Sequence, residues 1–341
     1  HGWVVDGQGR AMHKSLGNGV DPADLIKDFG ADIVRLWAAS SDYHADVRCS
    51  KEIFKQIAQN YLKFRNTARY CLGNLNEFDP NNLVPADQME ELDKWALTKL
   101  DALVKLVRKS YNGYEFHMAY NAINTFCTND LSKLYVDITK DRLYTDGKTS
   151  ASRRAGQTAM YTVLSALTRL VAPILCFTAE EIWKAMPHAA AEDGRSVFLN
   201  EMPAYDEALV FPEAARLDEL FTLRDDVMKA LELARAAKMI GKSLDAKVTV
   251  YTTDDAQFAV LNGYADLLDT MFITSQAVAV QGEAPEGAFT ETVSGIAVLV
   301  ENADGEKCDR CWMYTTAPIY DGEGEDKGCL CGRCHKVVFG A

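Results

Sequence analysis

Residues 51–71 read KEIFKQIAQNYLKFRNTARYC, and this stretch sets the first expectation about the architecture. Its apolar side chains recur at steps of three and four residues, the spacing of one buried helix face, at Ile53, Ile57, Tyr61, Phe64, Ala68 and Cys71. Three more stretches keep this spacing, at 89–111, 116–134 and 160–174, with breaks at 81–85, 112–113 and 145–148. The pattern predicts a bundle of long helices.

The segments on either side of these helices have other patterns. Towards the amino terminus, a short strand and a glycine turn come first, a polar loop follows at 12–18, and Asp21-Pro22 marks a helix start. Towards the carboxyl terminus, Thr178 to Glu181 predicts a capping box for a last short bundle helix. β-rich runs at 247–251, 277–280 and 296–300 then enclose a helix at 255–272. We expect domains at 1–50, 51–187, 188–240, 241–304 and 305–341.

Length and composition exclude several classes of protein. At 341 residues the chain is too long for one compact core, and 48% hydrophobic with 25% charged residues is an ordinary globular balance. The stretch 162–177 is short for a bilayer span and contains Arg169, so we expect a buried helix and no membrane partner. The net charge of -13 argues against non-specific nucleic-acid binding by the global field. The net charge does not exclude nucleic-acid binding through local basic patches. The acidic run 321–326 is typical of a solvated loop.

Cysteine spacing gives the strongest chemical signal. Of nine cysteines, four form two Cys-x-x-Cys knuckles separated by 19 residues, at Cys308, Cys311, Cys331 and Cys334. This spacing lets four thiolates converge tetrahedrally, so we expect one structural zinc ion per chain and a reducing compartment. A redox role for the knuckles lacks the expected βαβ context. Cys329 is the spare thiol, either free or an occasional substitute ligand.

Two further segments admit a functional and a bland interpretation. The loop 12–18, MHKSLGN, has a cation, a hydroxyl and a glycine that suit a phosphate, but such short stretches are also common in surface loops. The segment 51–70 holds five basic residues against Glu52, namely Lys51, Lys55, Lys63, Arg65 and Arg69. That helix face suits nucleic-acid phosphates or is an ordinary solvated surface.

The whole chain resembles a known family. The segment HGWVVDGQGRAMHKSLGN at 1–18, followed by Val-Asp-Pro at 20–22, resembles the Lys-Met-Ser-Lys-Ser loop region of class I aminoacyl-tRNA synthetases. Other matching segments are similar to bacterial-type isoleucyl-tRNA synthetases: RNTAR at 65–69, LGNLNEFDP at 72–80, DRLY at 141–144, LVAP at 170–173, FTAEEIW at 177–183, IGKSL at 240–244 and KCDRCW at 307–312. The last of these separates that family from the valyl, leucyl and methionyl enzymes.

The resemblance implies a mainly α fold. An anticodon-binding helix bundle follows a catalytic-loop and stem-contact segment, and a small α+β unit and a carboxyl-terminal zinc-binding module come after it. The family activates isoleucine with ATP and magnesium and esterifies its tRNA. Met12, Lys14 and Ser15 would then contact the ATP phosphates, with Lys14 and Ser15 catalytic. Ala11 and His13 depart from the family loop, in which a lysine and a serine are usual, and Arg10 is a further phosphate candidate.

The resemblance also implies partners. Isoleucine tRNA would contact Arg65, Asn66 and Arg69, and Trp312 would either stack on a base or cover the zinc knuckle. We expect a cytoplasmic monomer that is a carboxyl-terminal part of a longer enzyme. It would bind tRNA but be inactive alone, because the His-Ile-Gly-His signature and a complete nucleotide-binding half are missing from the sequence. The alternatives are a related class I synthetase, a free-standing zinc-containing RNA-binding module, or a zinc-dependent protein scaffold.

Overall fold

The computed structural model describes residues 1–321 and 328–340, so most of the acidic run 321–326 lies outside the described residues. The chain divides into two compact units, residues 1–137 with 154–211, and residues 138–153 with 212–341. This grouping assigns residues 138–153 differently from the sequence-predicted bundle 51–187. The predicted domain boundaries therefore stay predictions.

Helices dominate the first unit, and the mainly α expectation is confirmed. The helices are α1 Pro22–Phe29, α2 Ala31–Ser40, α3 Lys51–Asn74, α4 Glu91–Asn112, α5 Phe116–Thr125, α7 Ala151–Val171 and α8 Cys176–Ala185. Helix α6 Val136–Thr145 precedes α7 in the chain, and most of it belongs to the second unit. The strands β1 Val4–Val5 and β2 Val47–Arg48 pair in parallel. Asp21 caps α1 as predicted, because its carboxylate accepts the N–H of Ala23 at 2.8 Å.

One stretch within the predicted long helices is not α-helical. Residues Phe126–Tyr135 form a π-helix, in which the backbone bonds span five residues, between α5 and α6. The hydroxyl of Ser132 donates to the carbonyl of Cys127, five residues back, at 2.8 Å. Apolar positions spaced by three and four fit either helix type over so short a run, so the sequence pattern did not distinguish them.

The capping-box prediction at Thr178 is wrong. Helix α8 begins at Cys176, and the carboxylate of Asp32, from α2, takes the place of a local cap. It accepts the N–H of Thr178 at 2.7 Å, the hydroxyl of Thr178 at 2.6 Å and the N–H of Phe177 at 3.3 Å. On the same face of α2, Arg35 donates to the carbonyls of Pro173 and Ile174 at 2.7 and 2.8 Å. Helix α2 therefore satisfies donors and acceptors on the segment that joins α7 to α8.

We expect Asp32→Ala to lower the free energy of unfolding by about 2–3 kcal/mol, because it leaves buried donors at the start of α8 without an acceptor. Asp21→Ala, which removes an exposed local cap, is the matched control and should cost about 1 kcal/mol. Urea unfolding followed by circular dichroism, with amide exchange at residues 177 and 178, measures both effects. Equal losses in the two variants, with unchanged exchange at α8, would contradict this role for Asp32.

The second unit contains a small α+β fold, as predicted. A central strand, β3 Ala246–Thr252, pairs in parallel with β4 Gln276–Gln281 and antiparallel with β5 Ala297–Asn302. Helices α10 Asp255–Gly263 and α11 Leu268–Phe272 supply the crossover that a parallel pair needs, and α9 Ala215–Ala236 precedes the sheet. The unit ends with β6 Glu306–Lys307, β7 Tyr314–Thr315, β8 Ile319–Asp321, β9 Gly328–Leu330 and α12 Gly332–Phe339.

Three cysteines outside the knuckles are buried. Cys71 and Cys127 lie inside the first unit, and Cys49 belongs to a small apolar cluster with Leu25 and Phe54. Burial raises the pKa of Cys49, raises that of Cys71 to about 12, and raises that of Cys127 further. These thiols therefore pack as small apolar side chains. Within the described ranges, no helix is both long and apolar enough to cross a bilayer.

Candidate functional site

A buried carboxylate, that of Asp6, fixes the loop that carries Lys14 through hydrogen bonds. Its oxygens accept the side chain of Asn18 at 3.0 Å, the Nε of Arg10 at 2.9 Å, and the backbone N–H groups of Gln8 and Arg10, both at 2.9 Å. Hydrogen bonds from Asn18 and Arg10 hold the pKa of Asp6 far below its usual range. Asp6 therefore stays ionised and fastens both ends of the loop.

The tip of this loop presents two polar side chains to solvent. Lys14 and Ser15 are exposed in a single 3-10 turn, Lys14–Leu16, which ends at Gly17 with a φ of 61°. This left-handed conformation favours glycine. Asn18 also accepts the backbone N–H of His13 at 2.9 Å, so the turn is closed by a side chain from its far end.

The other loop candidates occupy different positions. Met12 packs against the cluster of Leu25, Cys49 and Phe54, so its side chain anchors the loop. The predicted contact of Met12 with the ATP phosphates stays a prediction. Arg10 is engaged by Asp6, with a further ion pair at 2.9 Å, and is not an unpaired cation for a phosphate. Ala11 and His13, the two departures from the family loop, are exposed.

The basic residues of α3 form an exposed surface. Arg65, Asn66 and Arg69 are all exposed and lie one helical turn or less apart. Lys51 does not belong to this surface functionally, because its ammonium pairs with Asp28 at 2.8 Å. Between the exposed residues, Thr67 points inward and its hydroxyl contacts that of Ser132 in the π-helix at 3.1 Å. The cationic side chains are thus mounted on a helix that is fixed from behind.

The four knuckle cysteines converge. Their sulfur atoms all lie within 4.8 Å of one another, and the Sγ atoms of Cys311 and Cys331 are 3.8 Å apart. Zinc–sulfur bonds of about 2.3 Å in a tetrahedron require sulfurs about 3.8 Å apart, so the donor set fits zinc. Cys308, Cys311 and Cys334 are buried, and Cys331 is half-buried at the start of α12. All four donors are sulfur, which describes a closed site that can hold one metal ion.

Backbone dipoles favour a thiolate within this cluster. Burial raises the pKa of Cys308, but N–H groups of Cys311, Cys331 and Arg310 outweigh it and lower that pKa to about 6. Cys311 shows the opposite balance, because burial and the neighbouring sulfurs raise its pKa. Thiolates are the form that binds metal, so the site is prepared for a cation at its centre.

The spare thiol lies outside this group of four. Cys329 is on β9. Its backbone N–H donates to the carboxylate of Asp309 at 2.8 Å, and its carbonyl accepts the backbone N–H of Asp309 at 2.8 Å. Trp312 follows the first knuckle at a φ of 67° with 53% of its surface exposed. The ammonium of Lys242 lies 4.8 Å from the centre of its ring. An exposed indole beside a cation is a suitable stacking surface for an unpaired base.

Sequence reasoning missed several residues around these sites. The bracing of the loop by Asp6 and Asn18 was not foreseen, although Asp-Gly-Gln-Gly-Arg is a recognisable turn. The two arginines inside the knuckles, Arg310 and Arg333, were also missed. The signal was present, since both knuckles read Cys-x-Arg-Cys.

Comparison with known proteins identifies chains to which this one is similar. Residues 93–250 match the anticodon-binding domain of tRNA ligases, and residues 1–50 match the class I tRNA synthetases for I, L, M and V. Isoleucine–tRNA ligases of Syntrophotalea carbinolica and Geobacter sulfurreducens are 47% and 46% identical over 99% of the chain. A structure of Agrobacterium radiobacter K84 LeuRS with tRNA and LeuAMS shares the fold over 74% of this chain and 25% of its own, at 20% identity and a TM-score of 0.50.

The chain belongs to the class I aminoacyl-tRNA synthetases. Within that class its family is the isoleucyl-tRNA synthetases. The chain spans 36% of the length of the two relatives named above.

Proposed function

We propose that the chain is the tRNA-binding, carboxyl-terminal part of an isoleucyl-tRNA synthetase. The observation that carries this proposal is its 44–47% identity to isoleucine–tRNA ligases over 98–99% of its residues. The complete enzyme would activate isoleucine with ATP and transfer it to isoleucine tRNA. Its place would be the cytoplasm, where a reducing environment keeps the knuckle thiols available. It would act as a monomer.

The braced loop would serve the activation step. Lys14 and Ser15 would contact the ATP phosphates from the exposed turn, and the ammonium of Lys14 would offset charge that develops on the leaving pyrophosphate. Positioning and charge dominate such displacements at phosphorus, so no general base is required of His13. Asp6 and Asn18 support this role because they fix the loop that carries the lysine.

The exposed face of α3 would meet the tRNA. Arg65 and Arg69 would neutralise phosphates or pair with base edges, and Asn66 between them has the donors and acceptors to contact a base. Trp312, next to the ammonium of Lys242, would stack on an unpaired base. Because the whole chain carries a net charge of -13, binding would depend on these local groups and would weaken with salt.

Zinc would occupy the cysteine cluster as a structural ion, with one ion per chain. Support comes from the four-sulfur donor set and from the 3.8 Å separation of two of its sulfurs. In this role the ion would fix the two knuckles and orient Trp312, the residue that follows the first of them.

The tRNA proposal is tested by binding of the chain to isoleucine tRNA at several salt concentrations. We expect Arg65→Ala with Arg69→Ala to weaken binding about tenfold or more and to reduce the salt slope by about one per arginine, because each removes one phosphate contact. Arg216→Ala, which removes an exposed arginine from α9, is the matched control and should change little. Unchanged affinity in the double variant, or the same affinity for unrelated tRNAs, would exclude recognition through this face.

A further inference from the structure

Each zinc knuckle contains an arginine at the same place, directly before its second cysteine: Arg310 before Cys311, and Arg333 before Cys334. Both guanidinium groups reach the same target, the carboxyl-terminal end of α6. Arg310 donates to the carbonyl of Thr145, the last residue of that helix. Arg333 forms a two-point contact with the carboxylate of Asp141, with one bond at 2.9 Å.

The end of α6 is suited to receive cations. The last carbonyls of a helix have no partner within it and carry partial negative charge. Two carboxylates add to this charge, Asp141 on the last turn and Asp146 just beyond it, whose oxygen lies 3.8 Å from Arg333. The Arg333–Asp141 pair is half-buried, with 39% and 35% of the two side chains exposed. Solvent therefore screens it only in part.

The same arginines also contact the sulfurs. The guanidinium of Arg310 lies 3.6 Å from the Sγ of Cys334, a ligand contributed by the other knuckle. Arg333 interacts with the thiol of Cys311, again across to the other knuckle. Four thiolates around a divalent ion carry a formal charge of about -2, and two guanidinium groups offset it. Each arginine is thus shared between the metal cluster and the helix.

We propose that metal binding and docking of the knuckles on the end of α6 are thermodynamically coupled, with Arg310 and Arg333 as the coupling residues. The inference rests on the proposed zinc site. Ligation fixes both turns in the conformation that directs the arginines at the helix. The conformational entropy lost on ordering the knuckles is therefore lost only once, for metal binding and for helix docking together. Coupling is reciprocal, so loss of the contact with α6 must lower the affinity for the metal. In return, removal of the metal must loosen residues 141–146.

The test measures zinc affinity of the full chain by competition with a chromogenic chelator. We expect Asp141→Asn to weaken zinc binding about five- to tenfold although it alters no ligand, a value at the lower end of the range typical of such coupling. Arg333→Gln removes the other partner of the Arg333–Asp141 pair and should weaken zinc binding at least as much. Asp304→Asn is the control, since it breaks a 2.8 Å ion pair in the same unit whose partner is Lys247 of the β-sheet and not a knuckle arginine.

Amide hydrogen exchange gives a second readout. Chelation should speed exchange at residues 142–147 in the wild-type chain, and Asp141→Asn should show faster exchange there before chelation. Zinc affinity equal to wild type in both Asp141→Asn and Arg333→Gln would overturn the coupling while leaving the zinc site in place. A wild-type chain that binds no zinc would overturn the metal site and the coupling together.

Discussion

Replacing Lys14 by alanine in the complete synthetase is expected to slow formation of isoleucyl adenylate by about a hundredfold or more. This is the usual effect of removing one preorganised charged group that acts mainly on the transition state. ATP binding should suffer less, because the ground state gains less from the ammonium. Pre-steady-state measurement of adenylate formation at several ATP concentrations separates the rate of this step from the affinity for ATP.

Two control variants sharpen this experiment. Lys14→Arg keeps the charge but changes its shape and reach, so partial rescue is expected. His13→Ser changes the exposed neighbouring residue to the one usual in the family and should leave the rate nearly unchanged. An adenylation rate in Lys14→Ala equal to that of wild type would remove the catalytic role of the loop.

The second large effect concerns the metal. We expect Cys334→Ser to lose zinc after dialysis and to unfold the region around residues 305–340, because structural zinc contributes on the order of 10 kcal/mol to the folding of such modules. The helices of the first unit should remain folded, since their core is separate. Metal analysis by atomic absorption and far-ultraviolet circular dichroism measure the two outcomes.

Cys329→Ser is the matched variant, because it removes a thiol from the same module that lies outside the group of four sulfurs. It should retain one zinc ion per chain. Loss of zinc from Cys329→Ser and retention by Cys334→Ser would reverse the ligand assignment.

Local signals account for what could be predicted from the sequence. The start of α1 follows from Asp21 and Pro22, which are adjacent and act on the same turn. The convergence of the cysteines follows from the turn geometry of each Cys-x-x-Cys, and only the pairing of the two knuckles is non-local. Alternating and three-to-four-residue periods gave the helices and the strands of the α+β unit.

Distant partners account for what could not be predicted. Thr178 looks like a capping residue, but its N–H bonds to Asp32, which is 146 residues away. Arg333 looks like an ordinary solvated residue of a knuckle until Asp141, 192 residues away, is placed beside it. The π-helix escaped detection because its buried residues also satisfy an α-helical pattern. In each case the missing information was a tertiary contact or a backbone geometry.

The burial of Cys49, Cys71 and Cys127 makes the folded chain selective towards electrophiles. Alkylating reagents attack the thiolate, and a raised pKa together with burial leaves these three sulfurs almost entirely protonated and out of reach. Five of the remaining six cysteines lie between residues 308 and 334. Three of those five, Cys308, Cys311 and Cys334, are buried as well, whereas Cys329 and Cys331 are half-buried. The pattern of adducts in a mass spectrum of the native protein therefore reports chiefly on Cys329, Cys331 and the half-buried Cys176, without the introduction of any label site.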